Sequence, residues 1–151
     1  MKILVADGVS PKGIEILQKA GFETVIKDKL PAEELLEIIP DFDGLIVRSA
    51  SKVTKEVIER AKKLKIVGRA GVGTDNIDIN AATAHGIMVI NSPGGNTIAA
   101  TEHTMGMMMA MARNSAVANE TMQHGEWNRK NYTGVELRGK TLGVIGLGRI
   151  G

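Results

Sequence analysis

Apolar runs alternate with amphipathic segments along the first 91 residues of the chain. The apolar runs are short and rich in Ile, Leu and Val, which predicts β-strands. They read KILVAD, FETVIK, GLIVRS, LKIVGRAG and IMVINS. Because several are continuously apolar and helical patterns separate them, the sequence predicts an α/β fold with a doubly wound parallel sheet that is covered on both faces.

The segments between the strands carry helix start and stop signals. Ser10 precedes Pro11, a pair typical of an N-cap and a first helical position, and Gly21 is a typical stop. The other predicted helices have comparable punctuation and run from Pro31 to Pro40, from Thr54 to Lys63, and from Asp78 to Gly86. Four helices therefore connect the predicted strands.

The pattern changes after the last of these strands. Residues 96–125 contain no proline and carry apolar side chains at three- and four-residue spacing, which predicts one long helix. Methionines lie on most of its sides, so we expect it to be wedged between domains or subunits. After a loop, a further strand is expected over residues 141–146. The predicted divisions are a domain over 1–93, the linking helix over 94–125, and a second domain starting in 126–151.

Composition excludes several classes of function. The 151 residues are 43% hydrophobic and 24% charged, ordinary values for a soluble protein, and a net charge of +2 is too small to indicate a nucleic-acid or membrane-surface partner. The lack of cysteine excludes disulfides, a thiolate nucleophile and cysteine-ligated metals. No apolar run approaches the roughly 18 residues of a membrane span. The first run ends at Asp7, unlike a secretion signal, so we expect a cytoplasmic protein.

Polar residues and glycines follow the predicted strands at the points where they end. Ligands of an open α/β sheet bind outside the carboxyl ends of its strands. Arg48 and Arg69 can each hold an oxyanion bidentately, and glycine-rich turns leave N–H groups free to assist, so the sequence predicts a site for a small carboxylate or phosphate. The alternative is that both arginines are exposed strand ends in ordinary ion pairs. The residues concerned are Asp7, Gly8, Arg48, Ser49, Arg69 to Gly73, and Asn91 to Asn96.

Other chemistries are disfavoured by residue type. A phosphoacceptor receiver domain needs an aspartate after the third strand and a lysine after the fifth, where this chain has Arg48 and Asn91. The three histidines, His85, His103 and His124, show neither metal-ligand spacing nor a nucleophile with an orienting acid. We therefore assign no catalytic and no metal-binding residue.

The last residues, TLGVIGLGRIG, contain a G-x-G-x-x-G pattern formed by Gly146, Gly148 and Gly151. Such a pattern binds a dinucleotide pyrophosphate when it links a strand to a helix and an acidic residue follows about 20 positions later. The predicted strand before it meets the first condition. The helix and the acidic residue would lie beyond Gly151, so the pattern is half of a fingerprint.

Three stretches together resemble the D-isomer-specific 2-hydroxyacid dehydrogenase family: VRSASKVT, VGRAGVGTDNIDINAATAHGIMVINSPGGNT and GEWNRKNYTGVELRGKTLGVIGLGRIG. The resemblance covers the whole chain. It implies an NAD-dependent oxidoreductase that converts 3-phosphoglycerate to 3-phosphohydroxypyruvate, the reaction that opens serine biosynthesis. The implied fold is a flavodoxin-like substrate domain, a linking helix that contributes to a dimer contact, and the first strand of a truncated Rossmann domain.

The resemblance also implies roles for individual residues. Arg48 and Arg69 match positions that hold the substrate phosphate or carboxylate, and Arg129 matches a loop arginine that reaches a neighbouring subunit's site. The full substrate-binding set is Arg48, Ser49, Arg69, Gly73, Asn96 and Arg129. The cofactor set is Val72 beside the nicotinamide and Gly146, Gly148, Arg149, Ile150 and Gly151 at the pyrophosphate. A homodimer or tetramer is expected.

The family's catalytic histidine, its orienting glutamate and a substrate-polarising arginine lie far downstream of the matched positions. We therefore expect these residues to be an N-terminal portion of the enzyme that is inactive by itself. Two alternatives stay open. One is another 2-hydroxyacid dehydrogenase, acting on glyoxylate, hydroxypyruvate or 2-hydroxyglutarate, and the other is a non-catalytic module that binds anions or dimerises.

Overall fold

Five parallel strands form the sheet of the first part of the molecule. The computed structural model describes residues 1–151, which divide into two units, Met1–Gly95 and Asn96–Gly151. In the first unit the strand order is β2-β1-β3-β4-β5, and every neighbouring pair is parallel. The strands are β1 (Lys2–Val5), β2 (Glu23–Ile26), β3 (Gly44–Val47), β4 (Ile66–Arg69) and β5 (Met88–Asn91). The predicted α/β fold with a parallel sheet is confirmed.

Four helices connect the strands where the sequence predicts them. They are α1 (Pro11–Lys19), α2 (Ala32–Ile38), α3 (Lys55–Arg60) and α4 (Ile79–Ala84), with a 3₁₀ turn at Ile39–Asp41. The side chains of Ser10, Thr54 and Asp78 each accept a backbone N–H of the first turn. Gly21 and Gly86 have φ angles of 82° and 68°, the left-handed conformation in which glycine ends helices.

The core lies mainly on one face of the sheet. Leu4, Leu45 and Val67 of the strands pack there against side chains of α2, α3 and α4, including Leu35, Ile58 and Ala82. The opposite face is covered by α1 alone, where Ile14 packs against Ile3 and Val5.

The prediction that both faces are covered is therefore correct for only part of the sheet. Right-handed crossovers explain the asymmetry, because the chain moves from β1 to β2 in one direction and from β2 through β5 in the other. The first step places α1 on one face, and the later steps place α2, α3 and α4 on the other. An open apolar cavity of about 490 Å³ remains on the α1 face beside Ile46, Ile66 and Ile90.

Two predictions for the second unit are wrong. The single helix expected over 96–125 is instead α5 (Thr97–Ala112) and α6 (Ser115–Gln123), followed by a 3₁₀ turn at Arg129–Tyr132. Asn114 separates the two helices with a φ angle of 53°, and asparagine is one of the few residues that enter this left-handed conformation readily.

The strand predicted over residues 141–146 does not form, and its apolar side chains are exposed. A strand is stable only when a neighbouring strand pairs with its N–H and C=O groups, and these residues have no such neighbour. No helix of either unit combines the length and the apolar character that crossing a membrane requires.

The different burial of two leucines predicts that truncating them to alanine has very different effects on the free energy of unfolding. Leu45 is 1% exposed in the main core, and Leu142 is 61% exposed in the second unit. We expect Leu45→Ala to lower the free energy of unfolding by about 2–5 kcal/mol, because it leaves a cavity, and Leu142→Ala to change it by less than about 0.5 kcal/mol. Urea unfolding followed by far-UV circular dichroism checks this, and equal losses in the two variants would contradict the assignment of the core.

Candidate functional site

The carboxyl ends of the strands meet at one edge of the sheet and carry the candidate residues. Arg69 lies in register between Val47 and Asn91, so the ends of β3, β4 and β5 are level. The strand order reverses at β1, and ligands of doubly wound sheets bind at such a switch point, here between β1 and β3. Asp7 and Arg48 follow those two strands.

The turn after β3 is held by a buried carboxylate. Oδ2 of Asp7 accepts hydrogen bonds from the backbone N–H of Arg48 at 2.6 Å and of Ser51 at 3.1 Å, and Oδ1 accepts one from the Ser51 hydroxyl at 2.7 Å. Asp7 is 5% exposed. The side chains of Arg48 and Ser49 remain exposed, and Nη1 of Arg48 donates to the carbonyl of Gly8 at 3.1 Å.

The same turn is held from the other side by an amide. Nδ2 of Asn76 donates to the carbonyl of Arg48 at 2.7 Å and to that of Ser51 at 2.6 Å. The backbone just after the turn pairs with the backbone at Asn76 as well, because the Val53 N–H donates to the Asn76 carbonyl at 2.8 Å. The Arg48–Ser51 turn is therefore fixed at both its N–H and its C=O groups.

Arg69 is the last residue of β4, and its guanidinium lies over Gly71. A Cβ atom at position 71 would overlap Nη1 of Arg69 and lie 2.8 Å from Cζ, so any other residue here would force the guanidinium to move. Nε of Arg69 is buried and has no hydrogen-bond partner in the protein. Neither Arg48 nor Arg69 forms an ion pair, which contradicts the alternative that both are engaged by ordinary carboxylate partners.

The turn after β4 is tied to the end of β5. Nδ2 of Asn91 donates to the carbonyl of Val72 at 2.6 Å, and Ser92 N–H donates to the carbonyl of Gly71 at 2.9 Å. Val72 and Gly73 are exposed beyond these bonds. The first unit thus brings together five of the predicted positions: Arg48, Ser49, Arg69, Val72 and Gly73.

The remaining predicted positions belong to the second unit. Asn96 precedes α5, where its side chain makes no capping hydrogen bond, and Arg129 opens the last 3₁₀ turn. Both side chains are exposed.

The fingerprint residues of this unit form a tight turn. Gly146 has a φ angle of 94°, and Gly151 packs against the Gly146 carbonyl so closely that a Cβ atom would overlap it. The turn is exposed from Gly146 to Gly151, so its backbone, including Gly148, Arg149 and Ile150, can approach a pyrophosphate. The role of this turn in a dinucleotide site stays a prediction of the sequence.

The histidines make no catalytic arrangement. Nδ1 of His85 lies 2.9 Å from the Ala81 carbonyl, one turn earlier, and His103 and His124 are exposed. No group of three or more His, Cys, Asp or Glu side chains could hold a metal ion.

Sequence reasoning missed Ser51 and Asn76. Asp7 was recognised only as a strand-end residue, although a carboxylate directly after a buried strand is a signal that hydrogen-bond donors surround it. No spacing in the sequence connects Asn76 to the turn at Arg48, because the two residues meet only through the folding of the sheet edge.

The hydrogen bonds at Asp7 determine its protonation. Burial by itself raises the pKa of the Asp7 carboxyl, but the Ser51 hydroxyl and the N–H groups of Arg48, Ser51 and Ala50 together outweigh it, and the net pKa is lowered. Asp43, at the amino end of β3, also has a lowered pKa, chiefly because the Lys2 N–H donates to it. Asp7 is therefore a carboxylate at neutral pH.

The chain matches the model of a known protein family and is similar in sequence to known proteins. The family model described as D-isomer specific 2-hydroxyacid dehydrogenase, catalytic domain, matches residues 3–135. The D-3-phosphoglycerate dehydrogenase of Archaeoglobus fulgidus is 52% identical over 151 residues, which are 100% of this chain and 29% of that protein. The chain thus spans less than a third of that relative's length.

Solved structures show the same fold. A protein from Thermus thermophilus superposes with a TM-score of 0.90 at 33% identity, over 99% of this chain and 50% of that one. The NAD⁺-bound 3-phosphoglycerate dehydrogenase of Entamoeba histolytica superposes with a TM-score of 0.66 at 42% identity, over 75% of this chain and 39% of that one.

The lowered pKa of Asp7 predicts a pH-dependent contribution to stability. Because the folded pKa lies below the ordinary value of about 4, the contribution is fully present above that pH and is lost as the pH falls through the folded pKa. We expect Asp7→Asn to lower the free energy of unfolding by about 1 kcal/mol at neutral pH and by less at about pH 3.

Urea unfolding at the two pH values measures this difference. Asp41→Asn is the matched control, because Asp41 is exposed and makes only a 3.8 Å ion pair with Lys63. A loss in Asp7→Asn that is as large at about pH 3 as at neutral pH would contradict the prediction.

Proposed function

The chain belongs to the D-isomer-specific 2-hydroxyacid dehydrogenase family, and from that premise we propose that its first unit binds the anionic substrate of an NAD-dependent phosphoglycerate dehydrogenase. The observation that carries this proposal is the state of Arg69. Its guanidinium has no carboxylate partner, and its buried Nε has no acceptor in the protein. Buried donors are almost always satisfied, so an oxyanion at this edge accounts for the geometry.

The substrate class follows from the charges. 3-Phosphoglycerate carries a carboxylate at one end and a phosphate at the other, and Arg48 and Arg69 supply two separate cationic forks at the ends of β3 and β4. The exposed Ser49 hydroxyl and the backbone of Gly73 add further donors beside them. In the second unit, Asn96 and Arg129 are proposed as further substrate-binding residues on the basis of the family resemblance alone.

The oxidation removes a hydride from C2 of the substrate and a proton from its hydroxyl. NAD, when bound, accepts the hydride. The residues of this chain proposed to hold it are Val72 and the turn that contains Gly146, Gly148, Arg149, Ile150 and Gly151. The role of Arg48 and Arg69 is to orient the substrate, since a fixed geometry lowers the barrier of the transfer.

We propose that the base that takes the hydroxyl proton is not among the residues of this chain. His85 contacts a backbone carbonyl of its own helix turn, and His103 and His124 lie exposed in the second unit without an orienting carboxylate in contact. We therefore propose that the 151-residue chain binds the substrate and does not oxidise it. A chain of the relatives' length is proposed to be active.

We also propose that the longer protein is a homodimer or tetramer that uses α5. Met105, Met107, Met109 and Met111 of this helix are all exposed, and methionine-rich surfaces are common at interfaces. Sedimentation velocity with Met107→Lys and Met111→Lys tests this, and an unchanged oligomeric state would contradict it. The cytoplasmic location stays a prediction from the sequence.

Isothermal titration calorimetry of the 151-residue chain with 3-phosphoglycerate tests the binding proposal. We expect Arg69→Ala to weaken binding by roughly tenfold to a hundredfold, because a charge-assisted bidentate contact is lost. Gly71→Ala is expected to act similarly, because its methyl group displaces the Arg69 guanidinium while the backbone can stay in place.

Two matched controls accompany these variants. Arg60→Ala removes an exposed arginine paired with Glu56 on α3, and Gly106→Ala adds a methyl group on α5 where no atom lies within 4 Å. Neither should change affinity. Binding that is equally strong in all four variants would contradict the proposal, and tighter binding of 2-hydroxyglutarate or glyoxylate would favour another 2-hydroxyacid dehydrogenase.

A further inference from the structure

We infer that Asp7 is a positioning residue, which orients Arg48 by holding the Arg48–Ser51 turn in one conformation. The inference rests on the proposed function, because the purpose of the arrangement is an anion site at the switch point between β1 and β3. It assigns to a buried acidic residue a part in the binding of an anion that it does not itself contact.

The two sides of the turn are held by side chains of opposite hydrogen-bonding character. The Asp7 carboxylate can only accept, and it binds the N–H groups of Arg48 and Ser51. The Asn76 amide donates, and it binds the carbonyl groups of the same two residues. Because the N–H and the C=O of Arg48 are both engaged, the direction in which its side chain leaves the backbone is determined.

The end of the Arg48 side chain is anchored by the same strand end. Its Nη1 donates to the carbonyl of Gly8, the residue that follows Asp7. The backbone and the guanidinium of Arg48 are therefore both hydrogen-bonded to the residues after β1, across the switch point. A cavity of about 600 Å³ lies directly beside Gly8 and Arg48 and gives a ligand access to this edge.

The sign of the charge separates positioning from simple electrostatics. Asp7 is an anion beside a site proposed to bind an anion, so direct Coulomb interaction alone predicts that removing its charge strengthens binding. Positioning predicts the opposite, because a released turn lets the exposed Arg48 side chain adopt many orientations and ordering it again costs entropy. One measured affinity therefore distinguishes the two.

The test measures 3-phosphoglycerate affinity by calorimetry and amide hydrogen exchange by NMR in the 151-residue chain. We expect Asp7→Ala to raise Kd at least about tenfold and to accelerate exchange at the Arg48 and Ser51 amides. Asn76→Ala, which changes no charge, is expected to raise Kd to a similar extent. Asp7→Asn keeps an oxygen acceptor for the two amides and should restore Kd to within about threefold of the unaltered chain.

Asp43→Ala is the matched control. Its carboxylate accepts the Lys2 N–H at 2.8 Å at the amino end of the same sheet, so it removes a comparable interaction away from the site. It should leave Kd within about twofold of the unaltered chain. An unchanged or lower Kd in Asp7→Ala, or an equal weakening by Asp43→Ala, would overturn the inference.

Two outcomes need separate readouts. If Asp7→Ala does not fold, Asn76→Ala decides, and an unchanged Kd in that variant overturns the inference. If the unaltered chain takes up no 3-phosphoglycerate, the proposed function fails, and the exchange rates alone decide. Faster exchange at the Arg48 and Ser51 amides in Asp7→Ala and Asn76→Ala then supports positioning of the turn, and unchanged exchange overturns it.

Discussion

Parallel pairing of β1 with strands on both of its sides is the constraint on which the rest of the first unit depends. Because the crossovers are right-handed, the reversal of direction at β1 places α1 on one face of the sheet and α2, α3 and α4 on the other. The same reversal leaves the carboxyl ends of β1 and β3 without a crossover above them. Asp7 and Arg48 lie there, so the topology that forms the core also places the site.

The site combines a buried carboxylate with arginines that have no acidic partner. Burying a charge is costly unless hydrogen bonds compensate, and Asp7 obtains them from the backbone and side chain of a single turn. The negative charge of Asp7 is thus compensated by hydrogen bonds within the protein. The guanidinium groups of Arg48 and Arg69, by contrast, form no ion pair with a carboxylate. This separation of charges is the basis on which we propose an anionic ligand at this edge.

Local signals in the sequence were sufficient for most of the first unit. Ser10, Thr54 and Asp78 cap helices as predicted, because capping depends only on the next three residues. The first unit departs from the prediction only in the cover of one sheet face. The errors in secondary structure lie in the second unit, where the apolar pattern continues past Asn114 but the helix does not. The strand predicted at 141–146 failed for a related reason, since apolar character cannot supply the neighbouring strand on which pairing depends.

By itself the sequence determined the order of strands and helices and the residues that follow each strand, because periodicity and capping are local properties. It also determined the likeness to 2-hydroxyacid dehydrogenases through its motifs. Only the tertiary structure decided that the two sides of the Arg48–Ser51 turn are held by Asp7 and Asn76, and that the Arg69 guanidinium lies over Gly71 where a Cβ atom would overlap it. These contacts join residues that are far apart in the chain, and no local pattern encodes a hydrogen bond that forms only when separate strand ends meet.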